Sequence, residues 1–441
     1  MFSRSLLRLC FWLGVLAASA AVAQTLRPAS PGADAVLDAG AYVLVGALLV
    51  FLLKPHPCGS SRAILAEHRI ANCDASAVDY KAIVCRQTPA THKRYVVFGA
   101  GFVGRKLIHA LLMRGETSVR VFDADPASCD AFKNDARVDF VHGDVTRYEA
   151  VLAAVQGAEH VFATFAIIRF MDRLAHQAPL SFRVNVQGTE NVVRACQAAG
   201  VAMLVQTSTS NVSVCAQRAS LDMDEKSPYV CRDEAPNHYA WTKAVAEQIV
   251  LAADGAAGMR TAAVRPCSAV FGADDRHVLD PMLKLGRTLL PPNGGAGVMD
   301  FVAVNNVVWA HLLLERKLID EPDSVGGEAF CVSNNAPMRM RDFIGIVERL
   351  RPGGLATVPT PQMLLVLIAH VVEAAKLAGA PMPRALDALT GCTLDFLDLN
   401  YSFSGKKAFE RLGYRPLYTV EQGVELAVRE SAQGRMLPAL G

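Results

Sequence analysis

One stretch constrains this chain of 441 residues more than any other. The run Arg94-Tyr95-Val96-Val97-Phe98 leads straight into Gly99-Ala100-Gly101-Phe102-Val103-Gly104. An apolar helical pattern follows, with Leu107, Ile108, Leu111 and Leu112 on one face. Strand, glycine turn and helix in that order give the glycines a physical reason. They allow a tight turn, close approach of a ligand to the backbone, and close packing of helix on strand. The helix N-terminus then presents free N–H groups to phosphate oxygens. Gly99, Gly101, Phe102, Val103 and Gly104 are therefore candidate contacts of a dinucleotide pyrophosphate.

The next strand, Val119-Arg120-Val121-Phe122, ends in Asp123. That is about 20 residues past the glycines, where an acid takes the adenosine ribose hydroxyls. An acid there repels a 2′-phosphate, so the expected cofactor is NAD rather than NADP. The run Val138-Asp139-Phe140-Val141 leads to Gly143-Asp144-Val145, which places Asp144 and Val145 where a third strand delivers an adenine contact. Strand and helix patterns keep alternating through 160–164, 186–199 and 203–206. The expected fold class is α/β, a Rossmann-type doubly wound parallel sheet.

Strand 203–206 runs into Thr207-Ser208-Thr209-Ser210, and about thirty residues on a helix opens with Tyr239-Ala240-Trp241-Thr242-Lys243. Residues i and i+4 share a helix face, so Tyr239 and Lys243 point the same way. A phenol titrates near 10 and is a poor base at pH 7. An adjacent ammonium stabilises the phenolate and lowers that value. A hydroxyl at the strand end, on Thr209 or Ser208, can hold a substrate oxygen while Tyr239 takes its proton. This constellation suits the interconversion of an alcohol and a ketone.

These residues resemble the extended short-chain dehydrogenase/reductases, and within them the 3β-hydroxysteroid dehydrogenase family. The likeness covers 93–430. It rests on Gly99–Gly104, Asn185-Val186-Gln187-Gly188-Thr189-Glu190-Asn191, Tyr239–Lys243, Met259–Pro266, Asp300–Val307 and Leu412–Pro416. The resemblance implies NAD-dependent oxidation of a sterol 3β-hydroxyl, closest to the sterol-4α-carboxylate 3-dehydrogenase branch, where the 3-ketone lets the 4-carboxylate leave as CO2. A sister branch couples oxidation to Δ5–Δ4 isomerisation. By the same resemblance Lys243 and Pro266 join the cofactor contacts, and a homodimer is an open option. Four positions depart from the family pattern: Phe98 at the usual first glycine, Thr209 at the serine, Ala163-Thr164-Phe165-Ala166 at the fourth strand end, and Ala303 at a usual tyrosine. A non-catalytic dinucleotide-binding scaffold and an NADP-dependent reductase of non-sterol ketones are the competing readings.

The first ninety residues read differently. Arg4 and Arg8 precede an apolar run ending in Ala21-Val22-Ala23, the layout of a signal peptide or signal anchor over 1–24. A second apolar run gives a transmembrane helix over 36–54, with Lys54 and Arg62 beyond it on the cytosolic side. Residues 55–92 read as a linker. The nucleotide domain with its catalytic residues spans 93–273, a smaller mixed α/β substrate domain 274–430, and a tail 431–441. The expected site is the endoplasmic reticulum membrane, with the catalytic domain facing the cytosol. Formal net charge is +2, which gives no electrostatic case for a nucleic-acid partner. The 11 cysteines form no Cys-x-x-Cys pair and no zinc spacing, so no metal site is expected and the thiols read as reduced. Residues 361–377 are strongly apolar and read either as an interfacial helix beside the sterol entrance or as a helix packed on the substrate domain. His277 and His311 read as structural.

Overall fold

A computed structural model describes residues 78–168, 178–215, 220–291, 294, 297–378, 389–398 and 400–433. The signal segment, the 36–54 run and most of the 431–441 tail lie outside them. No helix among the described residues is long and apolar enough to cross a membrane.

Seven parallel strands form the central sheet: β1 (Tyr95–Phe98), β2 (Val119–Asp123), β3 (Val138–His142), β4 (His160–Ala163), β5 (Met203–Thr207), β6 (Arg260–Pro266) and β7 (Glu328–Val332). Their order is β7-β6-β5-β4-β1-β2-β3. The order reverses between β1 and β4, so the crevice at their carboxyl ends is where such a sheet takes its ligand.

Successive residues of a strand face opposite sides, and β1 shows what that builds. Tyr95 and Val97 join the cluster holding Leu107, Leu111, Val308 and Trp309. Val96 and Phe98 join the cluster holding Val151, Val192, Val193 and Val250. Helices α1 (Phe102–Met113) and α5 (Val304–Asp320) therefore cover one face, and α2 (Tyr148–Val155), α3 (Gly188–Ala199) and α4 (His238–Ala252) the other. Each fully buried Val, Leu or Phe stabilises by about 1.5–3 kcal/mol.

Two sequence expectations need correction. The nucleotide fold is not confined to 93–273, because α5 and β7 come from the stretch assigned to the substrate domain and complete the large sheet and its cover. The residues assigned to a linker contain a helix, Tyr80–Gln87, whose first turn is closed by Asp79 accepting from the Ala82 N–H at 2.9 Å. Its weak apolar pattern hides it from sequence periodicity.

The remaining chain builds a second apolar cluster. Phe271, Phe301 and Phe343 meet there, the last two stacked at 4.2 Å. Helices α6 (Met340–Leu350) and α8 (Val420–Ala432) close it. Helix α7 (Gln362–Leu377) buries Leu365, Ile368, Ala369 and Val372 but leaves Met363, Val366, Leu367 and Val371 exposed. One face of this helix is packed, as the reading of a helix packed on the substrate domain expects, and the other is bare.

Candidate active site

The glycine loop takes its short form. Phe98 is the last residue of β1 and packs on Phe122. The turn begins one residue later, at Gly99, whose φ of 91° favours glycine and whose N–H donates to Phe122 O at 2.9 Å. A side chain on Gly99 would meet the Phe165 backbone at 2.7 Å, and one on Gly104 would sit on the Gly99 carbonyl oxygen. Gly101 caps α1 with no side-chain hydrogen bond, and the space beside its Cα is open. Phe102 and Val103 follow as the first two helical residues. The N–H groups of the first turn thus remain for a pyrophosphate, which this loop fits.

Asp123 braces the loop. Its Oδ2 accepts from the Ala100 N–H at 2.6 Å and its Oδ1 from the Asp125 N–H at 2.8 Å. Asp144 is exposed and closes its own turn, accepting from the Thr146 N–H at 2.9 Å. Val145 is buried, and its backbone oxygen accepts from Asn191 Nδ2 at 2.9 Å. Pro266 ends β6 opposite Val332. The unusual fourth strand end has a local reason. Thr164 Oγ1 donates to Gly99 O at 2.6 Å, and Phe165 covers Gly188, so these larger side chains hold the glycine loop. Ala303 caps α5 and faces Gly423 of α8 so closely that a Cβ on that glycine would lie 2.8 Å away, which leaves a tyrosine no room in that direction.

The residues expected to share the chemistry come together at the carboxyl end of β5. Asn237 starts α4 by accepting from the Ala240 N–H at 2.9 Å, which sets Tyr239 in the first turn. Tyr239 is buried, and burial pushes its phenol up to about 12 against a lowering hydrogen bond from Thr209. Lys243 is buried one turn on, and its Nζ donates to Thr207 O at 2.8 Å. Burial pulls its ammonium down to about 8, with Glu247 pushing it back up. Burial draws both groups toward their neutral forms, and the Thr209 hydrogen bond opposes it at the phenol. Ser208 precedes Thr209 with a buried hydroxyl that has no hydrogen-bond partner among the described residues.

Two further side chains support this strand end. His311 Nδ1 approaches Val307 O at 2.8 Å, which fixes the proton there and leaves Nε2 to accept from Thr207 Oγ1 at 2.7 Å. Burial pulls His311 down to about 4, so it stays neutral below Thr207. His277, at the edge of the second cluster, donates its N–H to Asp275 at 3.1 Å. In the sequence Asn185 opens the motif Asn185–Asn191. It is fully buried in a π-turn, Arg183–Gln187, accepting from the Ile167 N–H at 2.8 Å and donating to Thr242 Oγ1 at 3.1 Å. It thereby ties the chain beyond β4 to the helix that carries Tyr239 and Lys243. The signal in the sequence is an asparagine set between Val184 and Val186 in an apolar helical pattern.

The fold and this geometry agree with what the chain resembles. The model of the 3-beta hydroxysteroid dehydrogenase/isomerase family matches residues 95–350. The chain belongs to that family. It is 30% identical over 357 residues to a protein of Arabidopsis thaliana named 3beta-hydroxysteroid-dehydrogenase/decarboxylase isoform 1, covering 76% of this chain and 78% of the relative. It is 32% identical over 345 residues to a 3 beta-hydroxysteroid dehydrogenase/Delta 5-->4-isomerase of Mycobacterium tuberculosis, covering 75% of this chain and 87% of that one. Among solved structures, a dTDP-glucose 4,6-dehydratase of Streptomyces venezuelae with NAD bound matches 77% of this chain and 97% of its own at a TM-score of 0.58. At 23% identity that likeness speaks for the fold.

Proposed function

We propose that this chain is a membrane-bound, NAD-dependent dehydrogenase of sterol 3β-hydroxyls whose substrate is a 4α-carboxysterol, oxidised with loss of CO2. The observation that carries the reading is the grouping of Thr209, Tyr239 and Lys243 at the carboxyl end of β5, in the same sheet whose β1 leads into the glycine loop. Gly99, Gly101, Gly104 and the α1 N-terminus suit the pyrophosphate, and Asp123 suits unphosphorylated ribose hydroxyls. NAD, when bound, supplies the hydride acceptor. Thr209 holds the C3 oxygen, and Tyr239 takes its proton. Lys243 places positive charge near the phenolate, and Thr207 O fixes that ammonium. The ketone so formed makes the C4 carboxylate a β-keto acid, which loses CO2 through an enol. The decarboxylase named in Arabidopsis thaliana supports this branch.

The apolar side of α7 supports contact with a membrane surface, in line with the apolar runs before residue 54. The proposed site is the endoplasmic reticulum membrane with the catalytic domain on the cytosolic side. The mycobacterial relative favours a second reading, in which oxidation is coupled to Δ5–Δ4 isomerisation. Purified full-length protein decides between them. NAD reduction and CO2 release with a 4α-carboxy-3β-hydroxysterol are expected. A conjugated Δ4-ketone from a 3β-hydroxy-Δ5 steroid, without turnover of the carboxysterol, selects the second reading, and NAD reduction with neither sinks both.

A further inference from the structure

The last residue of β5 joins the two faces of the sheet. Met203 and Val205 point into the cluster that α5 covers, and Leu204 into the cluster that holds Val250 of α4. Strand alternation sends the Thr207 side chain to the α5 face as well. There His311, fully buried on α5, receives it: Thr207 Oγ1 donates to Nε2 at 2.7 Å. The ring is itself held, because Nδ1 donates to Val307 O at 2.8 Å and the Phe162 ring stands 6.3 Å away.

The main chain of Thr207 depends on that bond. Ser208 turns its N–H toward β6, donating to Val264 O at 2.7 Å. Backbone groups of successive strand residues point to opposite edges, so Thr207 turns its oxygen toward β4. That strand has already ended, at Ala163 opposite Gln206. The oxygen lies beyond the ladder and accepts from Lys243 Nζ at 2.8 Å instead. Threonine is stiff at χ1, so a hydroxyl held by His311 fixes the main chain that carries it.

We propose that His311 is a positioning residue of the dehydrogenase reaction: from the far face of the sheet it holds Thr207 so that the Thr207 oxygen stays aimed at the Lys243 ammonium. This rests on the catalytic roles given above to Tyr239 and Lys243. A neutral imidazole suits the task. Its Nε2 is an acceptor, so the Thr207 hydroxyl is the donor and keeps one orientation. An acceptor fixed on the ammonium favours the charged form against burial. With the oxygen misdirected, Lys243 loses its proton at a lower pH, and the phenolate loses the charge beside it. Tyr239 and Glu247 share the helix of Lys243, and Arg265 of β6 and Tyr229 hold Glu247 at 2.6 and 2.7 Å. One turn beyond His311, Glu315 is held by Arg114 at 2.7 Å and by His160 at 3.0 Å. None of these pairs includes Thr207, so they stay in place in the variants below.

The test uses the full-length protein and whichever of the two 3β-hydroxy substrates named above it oxidises. His311→Leu removes the acceptor, Thr207→Val removes the donor in the same shape, and His311→Gln returns an acceptor. Misplacing a catalytic group predicts a fall in kcat of at least about tenfold in His311→Leu and in Thr207→Val. The double variant should fall no further than the worse single one, because both remove one bond. KM for the sterol and NAD affinity should stay within about threefold. The alkaline limb of the kcat–pH profile should move at least about half a unit lower. His311→Gln should recover most of the rate and return the limb. Should the leucine variant fail to fold, Thr207→Val, at a half-buried position, carries the test alone. Folded variants within about threefold of the wild-type kcat overturn the proposal. So does a loss of kcat with an unmoved limb, or one that His311→Gln leaves unrestored, since lost packing alone would give that result. A Lys243→Met variant that keeps its turnover overturns the catalytic reading itself, so the two failures are told apart.

Discussion

Lys243 Nζ donates to the main-chain oxygen of Thr207 at 2.8 Å, inside a site where burial pulls its ammonium down to about 8. The fold therefore disfavours the charged lysine, whose ordinary value is 10.5. A lysine with a depressed value contributes fully above about 10.5, and that contribution is lost as pH falls through about 8. At pH 7 the buried ammonium is a destabilising presence retained for its charge. Lys243→Met is expected to abolish turnover yet raise stability at pH 7 by roughly 1–3 kcal/mol, less what the Thr207 oxygen loses. The gain should shrink toward pH 10.5. Thermal melts of both proteins across pH 6–10.5 check this, and a variant less stable than wild type at every pH contradicts it.

Thr209 and Tyr239 form the second pair. The Thr209 hydroxyl lowers the phenol while burial raises it to about 12. Thr209→Ser keeps the hydroxyl and should retain most activity. Thr209→Val keeps the shape and removes the bond, so kcat should fall by about 10²-fold or more, and Tyr239→Phe should cost about 10²–10⁴-fold. Cofactor titration should be nearly unchanged in all three. Steady-state rates with the carboxysterol check the order Ser > Val, and equal rates for Ser and Val would remove Thr209 from the chemistry.

Much of this was legible in the sequence because its causes are local. Gly99–Gly104 follow a strand and open a helix, and Tyr239 and Lys243 sit four apart on one helix, so spacing alone aligns them. Thr209 was legible because parallel strands deliver their carboxyl ends to one edge. The links across long separations were not. Thr207 meets His311 across 104 residues, and Asn185 meets Thr242 across 57. Neither pair leaves a local pattern. Thr164 departs from the family pattern in sequence, and only the fold shows its hydroxyl on Gly99 O. The seventh strand, Glu328–Val332, was hidden because a short apolar run carries no sign of which sheet it joins.

Gly101 and Gly104 should separate binding from folding. Beside Gly101 the space is open, so Gly101→Ala is expected to fold with a stability change under about 1 kcal/mol. Its methyl group then stands where the pyrophosphate approaches, and NAD affinity should drop at least about tenfold. Gly104→Ala instead drives a methyl group onto the Gly99 carbonyl, and should destabilise the protein by roughly 1–3 kcal/mol. Urea unfolding and a cofactor titration on each variant check the split. Equal losses of affinity and stability in both would contradict it.

At the opposite edge of the sheet, Glu315 accepts from Tyr95 at 2.6 Å, pairs with Arg114 at 2.7 Å and meets His160 at 3.0 Å, all buried. Burial alone would raise its carboxyl, but the Arg114 guanidinium and His160 bring it down to about 2 from 4.5. A depressed carboxyl contributes stability that is complete above about 4.5 and lost as pH falls toward 2. Removing the charge still leaves Arg114 its buried pair with Glu116 at 2.9 Å. What Glu315→Gln loses is the charge-assisted bonding to Arg114, His160 and Tyr95, so it should destabilise by roughly 1.5–3 kcal/mol near pH 7, and the gap to wild type should narrow below about pH 4.5. Because Tyr95 and His160 begin their strands and Thr207 ends one, the folded variant should keep its turnover. Urea midpoints across pH 3–7 with parallel rate measurements check both halves, and a large fall in kcat with unchanged stability would place Glu315 in the chemistry instead.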